Sequence, residues 1–245
     1  MLLCSDYDRT LRMENEIAED VRKEIDRFRA LGHHFCINTG RAYHNMLEEL
    51  NERDFHACDY YIAGSGSQLF DQTGAMMAGI EFEEDIARKV LGEIFNVASL
   101  SCVIGEGERW LRYWKEDCEI WQPSIVDADF EQIYTISTRF ATEEEATAFQ
   151  KQLEASCGVS AFVNRWAVDI VTKHVSKATG VDVLRKLLGL KKDQVFVIGD
   201  SRNDLPMIEA YQGFCVDNSE PEVLEAASRS FADVGACIRY LLEQQ

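Results

Sequence analysis

Asp6 and Asp8 stand two residues apart in the segment DYDRTL, directly after the apolar run Met1–Ser5. Two carboxylates at one strand exit repel each other unless a cation or a proton lies between them. Mg2+ suits that place, because it takes oxygen ligands and keeps several of its waters. The same pair would also serve as a turn or a helix N-cap. A second acidic cluster, Gly199-Asp200-Ser201-Arg202-Asn203-Asp204, follows the apolar run Gln194–Ile198. Metal ligation is one use for two acids and an amide at the end of a buried strand; a polar cap for the next helix is the other. Thr39-Gly40-Arg41 ends the run His34–Asn38. There a hydroxyl and backbone N–H groups either cap a helix or hold phosphate oxygens. Lys177 opens a helix in VSKATGVDVL. A lysine there opposes the helix dipole, a conflict that an anionic site would offset and that solvent would otherwise screen.

These residues need a scaffold that gathers strand ends. Strands are predicted at Met1–Ser5, His34–Asn38, Tyr60–Ala63, Gln194–Ile198 and Gly213–Val216, alternating with helices at Glu16–Leu31, Tyr43–Leu50, Lys177–Leu188, Leu205–Tyr211, Pro221–Ala227 and Val234–Glu243. Strands that alternate with single helices imply a doubly wound parallel α/β sheet, whose ligands bind beyond the carboxyl ends of the strands. A glycine turn at Gly64-Ser65-Gly66 precedes a hairpin of Gln68–Phe70 and Ala75–Ala78. Between them and Lys177 the pattern changes. Helices at Glu83–Ala98 and Glu143–Ser156 are interspersed with strands at Cys102–Ile104, Trp110–Trp114, Ile133–Thr138, Ala161–Asn164 and Ala167–Thr172. That mixture predicts an α+β domain inserted at 79–173 into a core made of 1–78 and 174–245.

The 245 residues carry a formal net charge of −18. A field of that sign disfavours binding to nucleic acid, so an anionic substrate needs positive charge supplied locally. The 8 cysteines are scattered without metal-ligand spacing, as expected of buried apolar groups in a reducing compartment. No signal-like segment and no apolar run of membrane-spanning length is present, so the expectation is a soluble cytoplasmic protein with no membrane partner.

Taken in order, DYDRTL, INTGR, Lys177 in VSKATGVDVL and GDSRNDLPMI resemble the four motifs of the haloacid dehalogenase-like superfamily of phosphohydrolases. The inserted segment resembles the type IIB cap of its Cof-like subfamily. The resemblance implies a Mg2+-dependent phosphatase in which Asp6 attacks phosphorus, Asp8 is acid and base, and Lys177 neutralises charge. It implies Mg2+ held by Asp6, the Asp8 carbonyl and Asp200, with Asp204 reaching it through water, and phosphate held by Thr39, Gly40, Arg41 and Asn203. A small phosphorylated metabolite, best a sugar phosphate, is the implied partner of a monomer or homodimer. The candidates for reading the leaving group are Arg109, Arg112, Trp114, Asn164, Arg165 and Trp166. Arg9 departs from the family, which has glycine there. A phosphotransferase or mutase, and an impaired binding protein of the same fold, are the alternatives. A Rossmann dehydrogenase is disfavoured because no G-x-G-x-x-G follows the first strand.

Overall fold

A computed structural model describes residues 1–97, 99–107, 109–117 and 129–244. Its larger sheet has eight strands. Six run parallel: β1 (Leu2–Ser5), β2 (His34–Asn38), β3 (Tyr60–Ala63), β11 (Val195–Gly199), β12 (Gln212–Val216) and β13 (Arg229–Phe231). The hairpin β4 (Gln68–Asp71) and β5 (Met76–Gly79) extends one edge antiparallel. The order is β13-β12-β11-β1-β2-β3-β4-β5. From β1 the chain winds outward through β2 and β3. It later returns to the other side of β1 as β11 and winds outward again. The reversal at β1 opens a crevice beyond its carboxyl end, and Asp6 is the next residue.

All four residues of β1 are buried, as befits a strand covered on both faces. Leu3 packs with Phe28 of α1 (Glu19–Ala30), Met46 of α2 (Tyr43–Glu52) and Ile238 of α8 (Val234–Glu243). Leu2 and Cys4 face the other way, toward Val181 and Leu184 of α5 (Lys177–Leu187) and Met207 of α6 (Leu205–Ala210). A short helix, α7 (Pro221–Ala226), completes that second layer.

The second sheet is antiparallel, in the order β7-β6-β8-β10-β9. Its strands are β6 (Ser101–Gly105), β7 (Trp110–Trp114), β8 (Thr135–Arg139), β9 (Ser160–Asn164) and β10 (Ala167–Val171). Period-two alternation divides its faces. Cys102, Ile104, Ile136, Val168 and Ile170 pack against α3 (Glu84–Asn96) and α4 (Glu143–Cys157). Ser101, Val103, Ser137 and Asp169 point from the other face into the crevice. The α/β core and the α+β cap anticipated from the sequence are both present.

Three details differ from expectation. The first helix begins at Glu19 rather than Glu16, because Glu14 and Asn15 take left-handed conformations and Met13 bridges Glu16. Strand β8 starts at Thr135, after a tight helical turn at Phe130–Gln132. Strand β13 was not anticipated; three residues are too few to show an alternation. Ala98, the expected end of the third helix, lies outside the described residues, as does Cys118. The other seven cysteines are buried free thiols.

Candidate active site

The backbone N–H of Asp6 still donates to the Ile198 carbonyl at 2.9 Å, which prolongs the β1–β11 pairing by one residue and aims the side chain into the crevice. Lys177 reaches it from the start of α5. Its Nζ lies 2.5 Å from Asp6 Oδ1 and 2.6 Å from Asp204 Oδ1, and the lysine is only 1% exposed. Burial works against the ammonium, but the two carboxylates outweigh it and raise its pKa above the ordinary lysine value. They also supply the negative charge that this helix start otherwise lacks. Gly66 makes the approach possible: at φ 101, a Cβ there would lie 1.9 Å from the Ser176 carbonyl.

Asp204 uses its second oxygen to accept the N–H groups of Asp200 and Ser201 at 2.9 and 3.1 Å. Asp200 accepts from the Thr10 hydroxyl at 3.1 Å. Asp6, Asp200 and Asp204 thus form a buried cluster, with one oxygen of each within 4.8 Å of the others. Burial raises the pKa of Asp6; Lys177 opposes the rise, and Asp204 and Asp200 reinforce it. Burial and Asp204 push Asp200 up to about 6. Asp200 Oδ2 accepts no hydrogen bond of good geometry and faces only the Arg9 guanidinium among the described residues. Three buried acids against one buried lysine fit a hard divalent cation such as Mg2+.

Arg9 introduces a second cation. It adopts φ 66, the left-handed conformation that glycine takes freely, and its Nη1 lies 3.1 Å from Asp200 Oδ2.

Asp8 lines the same cavity, with its carboxylate held by arginines. Arg41 binds it through two nitrogens at 2.7 and 3.0 Å, and Arg12 adds a third bond. Burial alone would raise its pKa; the arginines reverse this and hold it below the ordinary carboxylate value. Arg41, expected at the phosphate, is shared between Asp8 and Glu49, the latter at 2.8 Å. Thr39 is buried, and its hydroxyl accepts the Arg41 N–H at 3.2 Å. Asn203 lines the cavity and accepts from the Ser201 hydroxyl at 3.0 Å.

The cap closes over these groups. Trp110 Nε1 donates to Glu48 at 3.3 Å, and Arg202 donates to Glu143 at 3.1 Å. A Cβ on Gly40 would lie 2.1 Å from Asp169 Oδ2, so this cap carboxyl meets the Thr39-Gly40-Arg41 turn where only glycine fits. Burial pushes Asp169 up to about 7, against the pull of Lys177. The cleft between cap and core measures about 490 Å3 and opens to solvent. Arg112, Trp114, Asn164, Arg165 and Trp166 line it as anticipated, but Arg109 does not and pairs with Glu106 at 2.6 Å. Trp110, Arg139 and Asp169 were not anticipated. The alternation on β7 would have revealed Trp110, which shares a face with Arg112 and Trp114. Asp169 reads as an ordinary solvent-facing acid until the cap is seated on the core.

A carboxylate cluster at the switch point of a doubly wound sheet, bridged by a buried lysine and closed by a cap, defines a class of capped hydrolases. Residues 3–234 match the model of the haloacid dehalogenase-like hydrolases, and the chain belongs to that family. It is 24% identical over 246 residues to the 5-amino-6-(5-phospho-D-ribitylamino)uracil phosphatase YbjI of Escherichia coli, covering 92% of this chain and 88% of that one. YitU of Bacillus subtilis, named for the same activity, is 23% identical over 251 residues, covering 94% and 92%. Among solved structures, a haloacid dehalogenase-like hydrolase from Bacillus subtilis superposes with TM-score 0.84 at 16% identity, covering 98% and 99% of the two chains. A subclass IIB sugar phosphatase superposes with TM-score 0.78 at 18% identity, covering 99% and 98%. These likenesses extend over cap and core together.

Proposed function

We propose that the protein hydrolyses small-molecule phosphate monoesters, best those of sugars or polyols, through an aspartyl-phosphate on Asp6. The observation that carries this reading is the buried contact of Lys177 with Asp6 and Asp204 at the floor of a capped cavity. A nucleophilic carboxylate approaching an anionic ester needs positive charge already in place. Lys177 supplies part of it and orients Asp6 for in-line attack. Asp6 and Asp200, with the Asp8 carbonyl and with Asp204 reaching through water, would hold Mg2+, which when bound neutralises charge on nucleophile and phosphoryl group. Thr39 and the Gly40 N–H would receive phosphoryl oxygens. Asp8, held ionised by Arg41 and Arg12, is ready to take a proton from the water that opens the aspartyl-phosphate; protonating the leaving alkoxide first requires it to acquire a proton against those arginines. The relatives named for a phosphoribityl compound and for sugar phosphates support the substrate class.

The test is phosphate release from a panel of sugar and polyol phosphates, with and without Mg2+. Turnover should depend on the metal and fall by at least about 10³-fold in Asp6→Asn. Undiminished turnover in that variant removes Asp6 as nucleophile. Arg9, beside Asp200, is the observation that favours the second reading, an impaired binding protein. Absence of turnover in the wild type, restored by Arg9→Gly, would establish it.

A further inference from the structure

The cap wall of the cavity is more cationic than the chemistry at Asp6 requires. In a protein of net charge −18, arginines readily find acids. Arg12, Arg41, Arg53, Arg185 and Arg202 all do so. Arg112, Arg139 and Arg165 form no salt bridge among the described residues, and all three line the cavity that contains Asp6. Their guanidinium groups lie over indoles instead. Arg112 is 5.1 Å from the Trp110 ring and 5.8 Å from the Trp114 ring, Arg139 is 5.8 Å from Trp114, and Arg165 is 5.9 Å from Trp166.

The strand register explains how this wall is hollowed. Ser101 pairs with both Trp114 and Arg139, and Val103 pairs with both Arg112 and Ser137. The small side chains of β6, the single strand between them, therefore separate β7 from β8, two strand spacings or roughly 10 Å apart. Arg112 and Arg139 bracket the same indole from either side of that hollow. Arg165 sits at the hairpin between β9 and β10 with φ 55, a conformation that glycine or asparagine adopts more readily. The two-residue loop between the paired Asn164 and Ala167 requires that conformation, and it sets the guanidinium at the tip of the hairpin. The acid on this face, Asp169, lies against Gly40 on the core side.

We infer that the substrate carries a second anionic group, a carboxylate or a phosphate, at the end of its leaving group remote from the scissile ester. Arg112, Arg139 and Arg165 receive that group, and Trp110, Trp114 and Trp166 pack against the skeleton that joins it to the ester. Guanidinium is the side chain best shaped for either anion, and an indole wall beside it lowers the competition from water. The inference rests on the phosphatase reading for the identity of the first anion.

Four aryl phosphates test it: 4-carboxyphenyl phosphate, 1,4-phenylene bisphosphate, phenyl phosphate and 4-(methoxycarbonyl)phenyl phosphate. The methyl ester is the better leaving group, so a preference for the carboxylate over it reports recognition of charge. One of the two anionic esters should exceed the methyl ester in kcat/KM by at least about tenfold, and the better of the two names the anion. Arg112→Gln and Arg139→Gln should each reduce that ratio several-fold. A wild-type ratio near one for both anionic esters, or a ratio that survives both substitutions, overturns the inference while leaving the phosphatase reading intact. Binding is read separately in Asp6→Asn, by quenching of tryptophan fluorescence with 4-carboxybenzylphosphonate and with benzylphosphonate. Tighter binding of the carboxylated probe without turnover of any ester in the wild type would keep the anion site and overturn the phosphatase reading.

Discussion

The two walls of the cavity are built on opposite rules. On the core wall each charge is committed to another. Lys177 lies between Asp6 and Asp204, Asp204 is tied to two backbone N–H groups, and Asp8 is held between Arg41 and Arg12. On the cap wall Arg112, Arg139 and Arg165 rest on indoles and form no salt bridge among the described residues, although Arg139 is near enough to Asp169 to pull on its charge. The core wall therefore holds atoms in place at the cost of tolerance, while the cap wall can be recomposed with little consequence for folding. Substitutions on the first should damage stability and turnover together, and those on the second should change selectivity.

The sharpest break is Lys177→Met. It leaves two carboxylates buried without their counter-charge, a change that costs about 3–5 kcal/mol when a buried pair loses one member. Urea unfolding at pH 7 should show that loss. The deficit should shrink as the pH falls, because burial and the neighbouring acids raise the pKa of Asp6 and the loss of Lys177 removes the charge that opposes them. An unchanged midpoint would mean that the ion cluster contributes nothing to the fold.

Arg9→Gly probes the one cation on the core wall that stands where a metal ion would compete for Asp200. It removes a left-handed arginine, worth about 1–2 kcal/mol of backbone strain, and takes away the guanidinium that is ion-paired with Asp200 Oδ2. Calorimetric titration should show Mg2+ binding tightened several-fold. Equal affinity in the two proteins would place the guanidinium outside the metal's coordination space.

Asp169 joins the two walls, and its effect should be smaller and dependent on pH. Its pKa is raised to about 7 in the folded protein, so the folded state holds more protons than the unfolded state from about pH 4 to about pH 7. Stability from this residue is present below the unfolded value and is lost as the pH rises through 7. Asp169→Asn should therefore gain stability relative to the wild type at pH 8 compared with pH 5. Lys177, Asp8, Arg139 and Arg41 act on the same carboxyl, and the difference between variant and wild type at each pH isolates its share. The smallest effect belongs to Trp110→Phe, which loses one hydrogen bond to Glu48. Thermal unfolding should register about 1 kcal/mol or less.

The same division governs how much could be read from the amino acids. Asp6, Thr39, Lys177, Asp200 and Asp204 were legible because each stands at the end of an element whose periodicity is plain and whose topology collects strand ends. The pairing of Asp8 with Arg41 was not, since 33 residues separate them and either could as well have met solvent. Arg139 and Asp169 escaped for a related reason. On an antiparallel sheet every second residue looks exposed, and only the seating of the cap decides which of these face the cleft rather than open solvent. Arg109 misled because it precedes its strand, where alternation assigns no face.

The position of β1 between β2 and β11 also carries a consequence for synthesis. Leu2 pairs with Val195, and Lys177 reaches Asp6 across 171 residues. A chain emerging from the ribosome can form the β1–β2–β3 half and the whole cap before the other flank of β1 exists. Asp6 stays without its lysine partner until Lys177 and the segment through Asp204 are made, so a nascent chain can hold Asp6 and the cap while still lacking the buried ion cluster.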